Sequence, residues 1–211
     1  MIVEHRGIAP RTHPTAWVAP TAVVSGDVEI GEEARVLYGA VITSEGAPVK
    51  IGARCVIMEY AVIRGAGGKD EHFPVEIGDH VLIGPHTHLS GCSIGASSFI
   101  ATGSMIFNGA RIGAGSVVTL NGIVHAGTVL PEESVVPIQH VAVGNPGRVY
   151  DPTQWAEILQ WLDDLNFRRY VFGIDTEGKT RAQIYHEMTE RYSRGLAAHR
   201  QDRIVREGGA P

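Results

Sequence analysis

Large aliphatic residues recur every six positions along most of the chain. The longest run has eight members without a gap: Ile94, Ile100, Ile106, Ile112, Val118, Val124, Leu130 and Val136. Shorter runs with the same period precede it: Ile30, Val36 and Ile42; Ile51, Ile57 and Ile63; Ile77, Ile83 and Leu89. A period of six fits neither an α-helix nor a simple alternating strand. It predicts a short strand followed by a tight corner, with the aliphatic side chain pointing inward.

A second column of residues follows the first at a fixed distance. Four positions after the aliphatic, the side chain is small or short: Ala34, Ala40, Cys55, Ala61, Val81, Thr87, Ser98, Ser104, Ala110, Ser116, Thr128 and Ser134. Three such units would close a triangular turn of about 18 residues, and stacked turns would bury the aliphatic columns as one core. The pattern therefore predicts a mainly β fold, a parallel β-helix built from hexapeptide repeats.

Composition changes near Tyr150. Twenty of the 26 glycines lie within 17–150, whereas 19 of the 41 charged residues lie within 151–211. We therefore divide the chain into four parts: an N-terminal segment (1–16), the β-helix (17–150), C-terminal helices (151–205) and a tail that we expect to be disordered (206–211).

Two helices are predicted in the C-terminal segment. Asp151 is a good N-cap and Pro152 suits the first helical position, so the first helix should begin there. Thr180 and Gln183 have the spacing of a capping box, which predicts the start of a second helix.

Net charge, hydropathy and cysteine content argue against several classes of function. The net charge is −5, which lacks the basic excess that drives non-specific binding to nucleic acid. No apolar run approaches the roughly 20 residues that span a bilayer, and the start of the chain has no secretory signal pattern. Cys55 and Cys92 are too few for a disulfide scaffold and suit a reducing compartment. We therefore expect a cytoplasmic protein that binds neither membranes nor nucleic acids.

Two insertions interrupt the repeats. One is the stretch SEGAPVK after Thr43, and the other is GAGGKDEHFPVE after Arg64. Insertions in solenoids emerge as loops on one face, which is often the binding face. The binding site is therefore expected near these two loops.

Three segments carry a resemblance to a known family. Residues 83–95 read IGPHTHLSGCSIG, residues 61–65 read AVIRG, and residues 143–149 read VGNPGRV. Together they resemble the γ-class carbonic anhydrases, a branch of the hexapeptide-repeat proteins. The resemblance implies a left-handed parallel β-helix, a homotrimer, and a zinc or iron ion held by three histidines across the subunit boundary.

The metal-binding histidines of that family are substituted in this chain. Carried over by the resemblance, their positions fall on Arg64, Pro85 and Ser90. Arginine is permanently cationic, proline has no ligand atom, and a neutral serine hydroxyl is a poor ligand. Without a metal to acidify bound water, ordinary CO₂ hydration is not expected. We therefore predict a degenerate metal site with no bound metal or other cofactor.

A rebuilt histidine site is the alternative. His86 and His88 would point to one side of an extended segment, and His72 in the second insertion could supply a third ligand for zinc or iron. The opposing interpretation is that these histidines are exposed or interfacial polar groups that bind no metal.

Arg64 is the strongest candidate for ligand binding. A buried guanidinium needs an acidic partner or an anionic ligand. The resemblance places Glu59, Glu45 and Ser90 near it, as candidates for substrate binding. Either Arg64 binds a small anionic metabolite at the subunit interface, or it fills the vacated metal site with a structural salt bridge.

Three functions stay open at this point. The first is a γ-carbonic-anhydrase-like trimer that binds or converts a small anion. The second is an acyl transferase dependent on coenzyme A, with His125 as a candidate base, because hexapeptide acyltransferases often use a histidine in this role. The third is a non-catalytic trimeric scaffold. The residues identify no catalytic group beyond the candidates His86, His88 and His125.

Overall fold

The hexapeptide columns fold into a parallel β-solenoid of about 8 turns. The structure is a computed structural model that describes residues 1–67 and 72–206. The first face contains β1 (Ile2–Glu4), β4 (Val23–Ser25), β7 (Val41–Ser44), β10 (Val62–Gly67), β14 (His88–Ser90), β17 (Met105–Ile106), β20 (Ile123–Val124) and β23 (Val141–Val143).

The other two faces carry one short strand from each of seven turns. The second face contains β2 (Arg11–Thr12), β5 (Val28–Ile30), β8 (Val49–Ile51), β12 (Val75–Ile77), β15 (Ser93–Ile94), β18 (Arg111–Ile112) and β21 (Val129–Leu130). The third face contains β3 (Trp17–Val18), β6 (Arg35–Val36), β9 (Val56–Ile57), β13 (Leu82–Ile83), β16 (Phe99–Ile100), β19 (Val117–Val118) and β22 (Val135–Val136).

Strand register confirms the predicted repeat. Ile94 pairs with Ile112, which pairs with Leu130, so each turn advances the chain by three hexapeptides. Every predicted inward aliphatic is at most 4% exposed, and these residues form one continuous core. The small-residue column is also buried, except for Ser134, which is partly exposed. The prediction of a mainly β, parallel β-helix is therefore confirmed.

Glycines at one corner allow successive turns to stack closely. A Cβ atom on Gly31 would lie 2.7 Å from the carbonyl carbon of Gly52, and one on Gly95 would lie 2.3 Å from the amide nitrogen of Ala114. Real Cβ atoms do not approach backbone this closely. The glycine that follows the inward aliphatic is therefore required by packing between turns.

Both cysteines are buried free thiols. Cys55 donates to the carbonyl oxygen of Gly78 at 3.0 Å. Burial raises the pKa of the Cys92 thiol to about 12, so this group is an unreactive thiol at neutral pH.

Three strands add to the first face in antiparallel orientation. β11 (His72–Phe73) pairs with β10, β24 (Arg148–Tyr150) pairs with β23, and β25 (Arg203–Arg206) pairs with β1. The last of these joins the end of the described chain to its beginning. This strand lies at the end of the segment for which only helices were predicted, and residues 207–211 of the predicted tail lie outside the described residues.

The C-terminal segment contains α1 (Trp155–Leu165), α2 (Phe167–Phe172), α3 (Arg181–Leu196) and a 3₁₀-helix (Ala197–Gln201). The predicted capping box of Thr180 and Gln183 is confirmed at the start of α3. The predicted start at Asp151 is wrong, because α1 begins after Gln154. The Asp151 carboxylate instead accepts hydrogen bonds from the backbone and hydroxyl of Thr153, which makes a turn before the helix. No helix in the described ranges combines the length and hydropathy needed to cross a bilayer.

Candidate functional site

The first face carries an outward column of polar residues. In a strand, the residue after an inward aliphatic points to the opposite side. Ser25, Thr43, Arg64 and Ser90 occupy this position in four consecutive turns and pair directly in register. The two positions carried over from the family's ligands, Arg64 and Ser90, are therefore neighbours, and they present a guanidinium beside a neutral hydroxyl.

Arg64 lies under α3 and has an unsatisfied donor. Its Nε atom is buried and has no hydrogen-bond partner within the described residues. Its Cζ atom lies 5.6 Å from the centre of the Tyr192 ring on α3. In the described ranges no ion pair joins Arg64 to Glu45 or Glu59, the two acids proposed for it. The guanidinium is thus held by an aromatic face but retains unused hydrogen-bonding capacity.

A cavity of about 580 Å³, which we name the α3 pocket, opens between this column and α3. Its lining contains Arg6, Glu45, Gly46, Arg64, Ala66, Gly67, His72, Asn108, Val171, Phe172, Arg191, Tyr192, Gly195 and Leu196. Both insertions contribute residues to its lining. Its walls combine apolar and aromatic side chains with a few polar groups, which is typical of a small-molecule site.

The other two arginines of the α3 pocket already have partners. Arg191 donates to the carbonyl oxygens of Phe172 and Gly173, at 2.6 and 3.0 Å. Arg6 donates to the carbonyl oxygen of Gly195 at 3.4 Å. Of the pocket's arginines, Arg64 is the one with a buried donor that the described residues leave unpaired.

The histidines of the predicted rebuilt site are separated. His86 has a φ of 56° and lies exposed at a corner, so the segment from His86 to His88 is not extended as assumed. The His86 ring stacks on Tyr60, with centroids 5.3 Å apart, whereas His88 lies against Phe107 on the first face. His72 is exposed at the rim of the α3 pocket. The structure does not bring the three imidazoles together.

His88 lies two residues before Ser90 in β14, and its pKa is affected by the charge of Arg64. Burial lowers the pKa of His88, and the positive charge of Arg64 lowers it further. The imidazole is thus neutral around pH 7. Neutral His88 and buried Ser90 leave the guanidinium of Arg64 as the charged group of this column.

Glu59 and Glu45 occupy different surroundings. Glu59 precedes a corner of the third face, where its carbonyl oxygen accepts a hydrogen bond from the amide of His86 at 3.1 Å. Glu45 lines the α3 pocket and accepts a hydrogen bond from Nε2 of His199 at 3.1 Å. Of the two acids, only Glu45 shares the pocket with Arg64.

Sequence reasoning missed a cluster that contains Glu45, His5, His199 and Asp202. One carboxylate oxygen of Asp202 lies 2.6 Å from Nδ1 of His5, and the other lies 2.7 Å from Nδ1 of His199. The two imidazole rings stack with centroids 4.3 Å apart. The pairing of β25 with β1 brings these distant positions together, and no local spacing in the sequence indicates it.

Contacts within the cluster shift the pKa values of His199 and Asp202. The hydrogen bond to Asp202 raises the pKa of His199, and Glu45 adds to this effect. Burial raises the pKa of Asp202, but hydrogen bonds from His199 and His5 outweigh it and bring the pKa below its usual value. The cluster therefore contains an ionised carboxylate between two rings, one of which is readily protonated.

His125, the candidate base for acyl transfer, is enclosed by aromatic rings. Phe107 lies 5.4 Å from it and Phe167 5.3 Å, measured between ring centroids, with Trp161 at 6.2 Å. Its Nδ1 atom accepts a hydrogen bond from the amide of Ala126 at 2.7 Å, and burial lowers its pKa. The ring thus packs beneath α1 and α2, outside the residues that line the α3 pocket.

Stacked hexapeptide turns with a helical C-terminal segment define the class as a hexapeptide-repeat β-solenoid. A hexapeptide transferase family protein from Anaplasma phagocytophilum shares this fold, with a TM-score of 0.50 and 20% identity over 95% of this chain and 98% of that chain. No protein-family profile matches the sequence.

The curated proteins that match the sequence include carbonic anhydrases. The chain is 34% identical over 97 residues to gamma carbonic anhydrase 3, mitochondrial, of Arabidopsis thaliana, which covers 44% of this chain and 37% of that protein. It is 29% identical over 108 residues to a carbonic anhydrase of Geobacillus kaustophilus, covering 51% and 57%. The chain thus spans less than two thirds of the length of these relatives. The fold and these partial matches fit a γ-carbonic-anhydrase-like hexapeptide-repeat family.

Proposed function

We propose that this protein binds a small organic anion in the α3 pocket, with Arg64 as the group that holds the negative charge. The observation that carries the proposal is the buried Nε atom of Arg64, which has no hydrogen-bond partner among the described residues. A buried donor on a charged group is costly unless a ligand satisfies it. A carboxylate or a phosphate accepts two parallel hydrogen bonds from a guanidinium. Either group would therefore satisfy the buried Nε donor of Arg64.

The rest of the pocket supports a small ligand. Asn108 and His72 offer further hydrogen-bonding groups, and the ring of Tyr192 offers an apolar wall. The volume of about 580 Å³ lies within the range of small-molecule sites. Because α3 of the same chain covers Arg64, this proposal places the ligand under that helix, not at the predicted subunit interface.

Ordinary CO₂ hydration is not part of the proposal. The positions that the resemblance assigns to metal ligands hold Arg64, Pro85 and Ser90. A cation, a side chain without donor atoms and a neutral hydroxyl do not form a zinc or iron site. The proposed site is therefore a degenerate one, in which the guanidinium stands where the family holds its ion. We also propose that the protein is a homotrimer.

Calorimetry with acetate, succinate and inorganic phosphate tests the anion proposal. We expect at least one of them to bind the unmodified protein, and Arg64→Gln to weaken that binding at least about tenfold, because a hydrogen-bonded charge pair is lost. Arg168→Gln is the matched control, since Arg168 is exposed on α2, outside the α3 pocket. Unchanged binding to Arg64→Gln, or no binding of any of the three anions to the unmodified protein, would contradict the proposal.

Acyl transfer from coenzyme A, the second function that the sequence left open, is not favoured by the surroundings of His125. Calorimetry with acetyl-coenzyme A tests it, and binding that Arg64→Gln leaves unchanged would count for the transferase, because acetyl-coenzyme A is itself an anion that Arg64 could bind.

A further inference from the structure

The cluster of His5, His199 and Glu45 has the composition of a metal site. One ligand atom from each residue lies within 4.8 Å of the other two, and no other such group of three occurs in the described ranges. Two imidazoles and one carboxylate form a ligand set that binds divalent transition metals such as zinc and iron. None of the three residues is at a position that the resemblance assigns to a metal ligand.

His5 supplies the second, independent observation. The side chain of His5 is only 3% exposed, and its Nε2 atom is buried without a hydrogen-bond partner in the described part of the chain. A carboxylate can only accept, so the contact with Asp202 places the proton on Nδ1. Nε2 is then the atom that the protein leaves without a partner in a buried site, where an unpaired polar atom is unfavourable. A metal ion would satisfy this atom.

Asp202 orients both rings for metal binding. Its two carboxylate oxygens hold the Nδ1 atoms of His5 and His199, so the ion would be bound by the Nε2 atoms, one without a partner in His5 and one hydrogen-bonded to the third ligand, Glu45, in His199. Metal-binding histidines in proteins are commonly fixed in this way by a carboxylate on the other ring nitrogen. Arg203, the next residue, donates to Glu4 at 3.0 Å, which fixes the end of the chain beside His5.

Distances between the ligand atoms are close to those around an ion. In a tetrahedral zinc site, bonds of about 2.1 Å place neighbouring ligand atoms about 3.4 Å apart. Nε2 of His199 lies 3.1 Å from Oε2 of Glu45, and the proton between them stands where an ion would bind. One ligand atom of His5 lies within 4.8 Å of those of His199 and Glu45, so an ion would draw the three residues closer together.

We infer that His5, His199 and Glu45 bind one divalent transition-metal ion of the zinc and iron class, with Asp202 as the positioning residue. Three protein ligands leave a tetrahedral ion with one open position. Glu45 lines the α3 pocket, so the ion would border the cavity that contains Arg64. The inference goes beyond anion binding and does not depend on it.

Zinc titration of the full chain, purified without a histidine tag, tests the inference. We expect calorimetry and elemental analysis after dialysis to give one Zn²⁺ per chain. His199→Gln and Glu45→Gln should each lose at least about tenfold in affinity, and Asp202→Asn about 10- to 100-fold. The matched control is His186→Gln, because His186 lies exposed on α3 and is in no such cluster. Replacement of Zn²⁺ by Co²⁺ gives a visible absorption spectrum that reports the ligand set.

The outcomes separate this inference from the anion proposal. Loss of Zn²⁺ binding in both His199→Gln and Glu45→Gln, with His186→Gln unchanged and each variant folded by circular dichroism, supports the site. No binding to the unmodified protein, or binding that either ligand variant retains, overturns it. Arg64→Gln should keep full Zn²⁺ affinity while it loses the anion, so each proposal can fail without the other.

Discussion

His125 illustrates how neighbouring side chains decide the role of a single residue. It follows the inward Val124 and therefore points outward on the first face, where the sequence indicates a possible catalytic base. The structure instead surrounds it with Phe107, Phe167 and Trp161. In this setting the imidazole acts as a packing group between the solenoid and α1 and α2.

The lowered pKa of His125 predicts a loss of stability in acid. Its pKa is depressed by burial in the folded state, so the unfolded chain binds the proton more readily. The stability that neutral His125 contributes is complete above its unfolded pKa of about 6.5 and is lost as pH falls through the lower folded pKa. Protonation would also break the hydrogen bond that Nδ1 accepts from the amide of Ala126.

When the pH is lowered from 7.5 to 5, we therefore expect the melting temperature of His125→Phe to fall less than that of the unmodified protein. Differential scanning calorimetry at both values measures the difference. His186→Gln is the control, because His186 is exposed and should leave the acid sensitivity unchanged. Equal acid sensitivity of His125→Phe and the unmodified protein would contradict this account.

The sequence could not predict which residues come together through contacts between distant parts of the chain. Arg64 could be identified from the sequence because its position in the resemblance is unusual for arginine, and the structure places it in the α3 pocket. His5 and His199 carry no motif, since they meet only when β25 returns to pair with β1. The spacing of residues along the sequence carries no information about contacts between segments that are far apart in the chain.

In the two-residue strands at the middle of the solenoid, one side chain is buried and its neighbour points outward. In β17, Ile106 is fully buried, whereas the neighbouring Met105 is 43% exposed. Ile106→Ala should therefore lower the free energy of unfolding by about 2–5 kcal/mol, since it leaves a cavity between stacked turns. Met105→Ala should change it by only about 0.5 kcal/mol. Urea unfolding followed by circular dichroism compares the two, and equal losses would contradict the assigned inward direction.

The strands and helices differ in how well the sequence predicts them. The strands could be predicted because every turn repeats the same local pattern and packs against its neighbours. The start of α3 could be predicted because Thr180 and Gln183 interact across one helical turn. The start of α1 could not, because the Asp151 carboxylate binds the turn at Thr153 before the helix begins. β25 could not be predicted either, because its partner β1 lies about two hundred positions away.

On the scale of the whole molecule, the second and third faces differ in their outward side chains. The outward residues of the second face are, in register, Arg11, Glu29, Lys50, Glu76, Ser93, Arg111 and Val129. Those of the third face are Trp17, Arg35, Val56, Leu82, Phe99, Val117 and Val135. The second face is suited to solvent, whereas the outward row of the third face is apolar from Val56 to Val135, and an apolar surface of this kind is typical of subunit contact.

The proposed homotrimer should therefore form through the third face. Light scattering of the unmodified protein should give three times the mass of one chain. Phe99→Glu should shift it towards one chain mass, because the exposed Phe99 lies within the apolar ladder and a buried unpaired carboxylate is unfavourable. Lys50→Glu, in the charged ladder, should leave the mass unchanged. A single-chain mass for the unmodified protein would contradict the trimer. A trimer that survives Phe99→Glu would place its interface elsewhere, because the third face could not then be the surface at which the subunits meet.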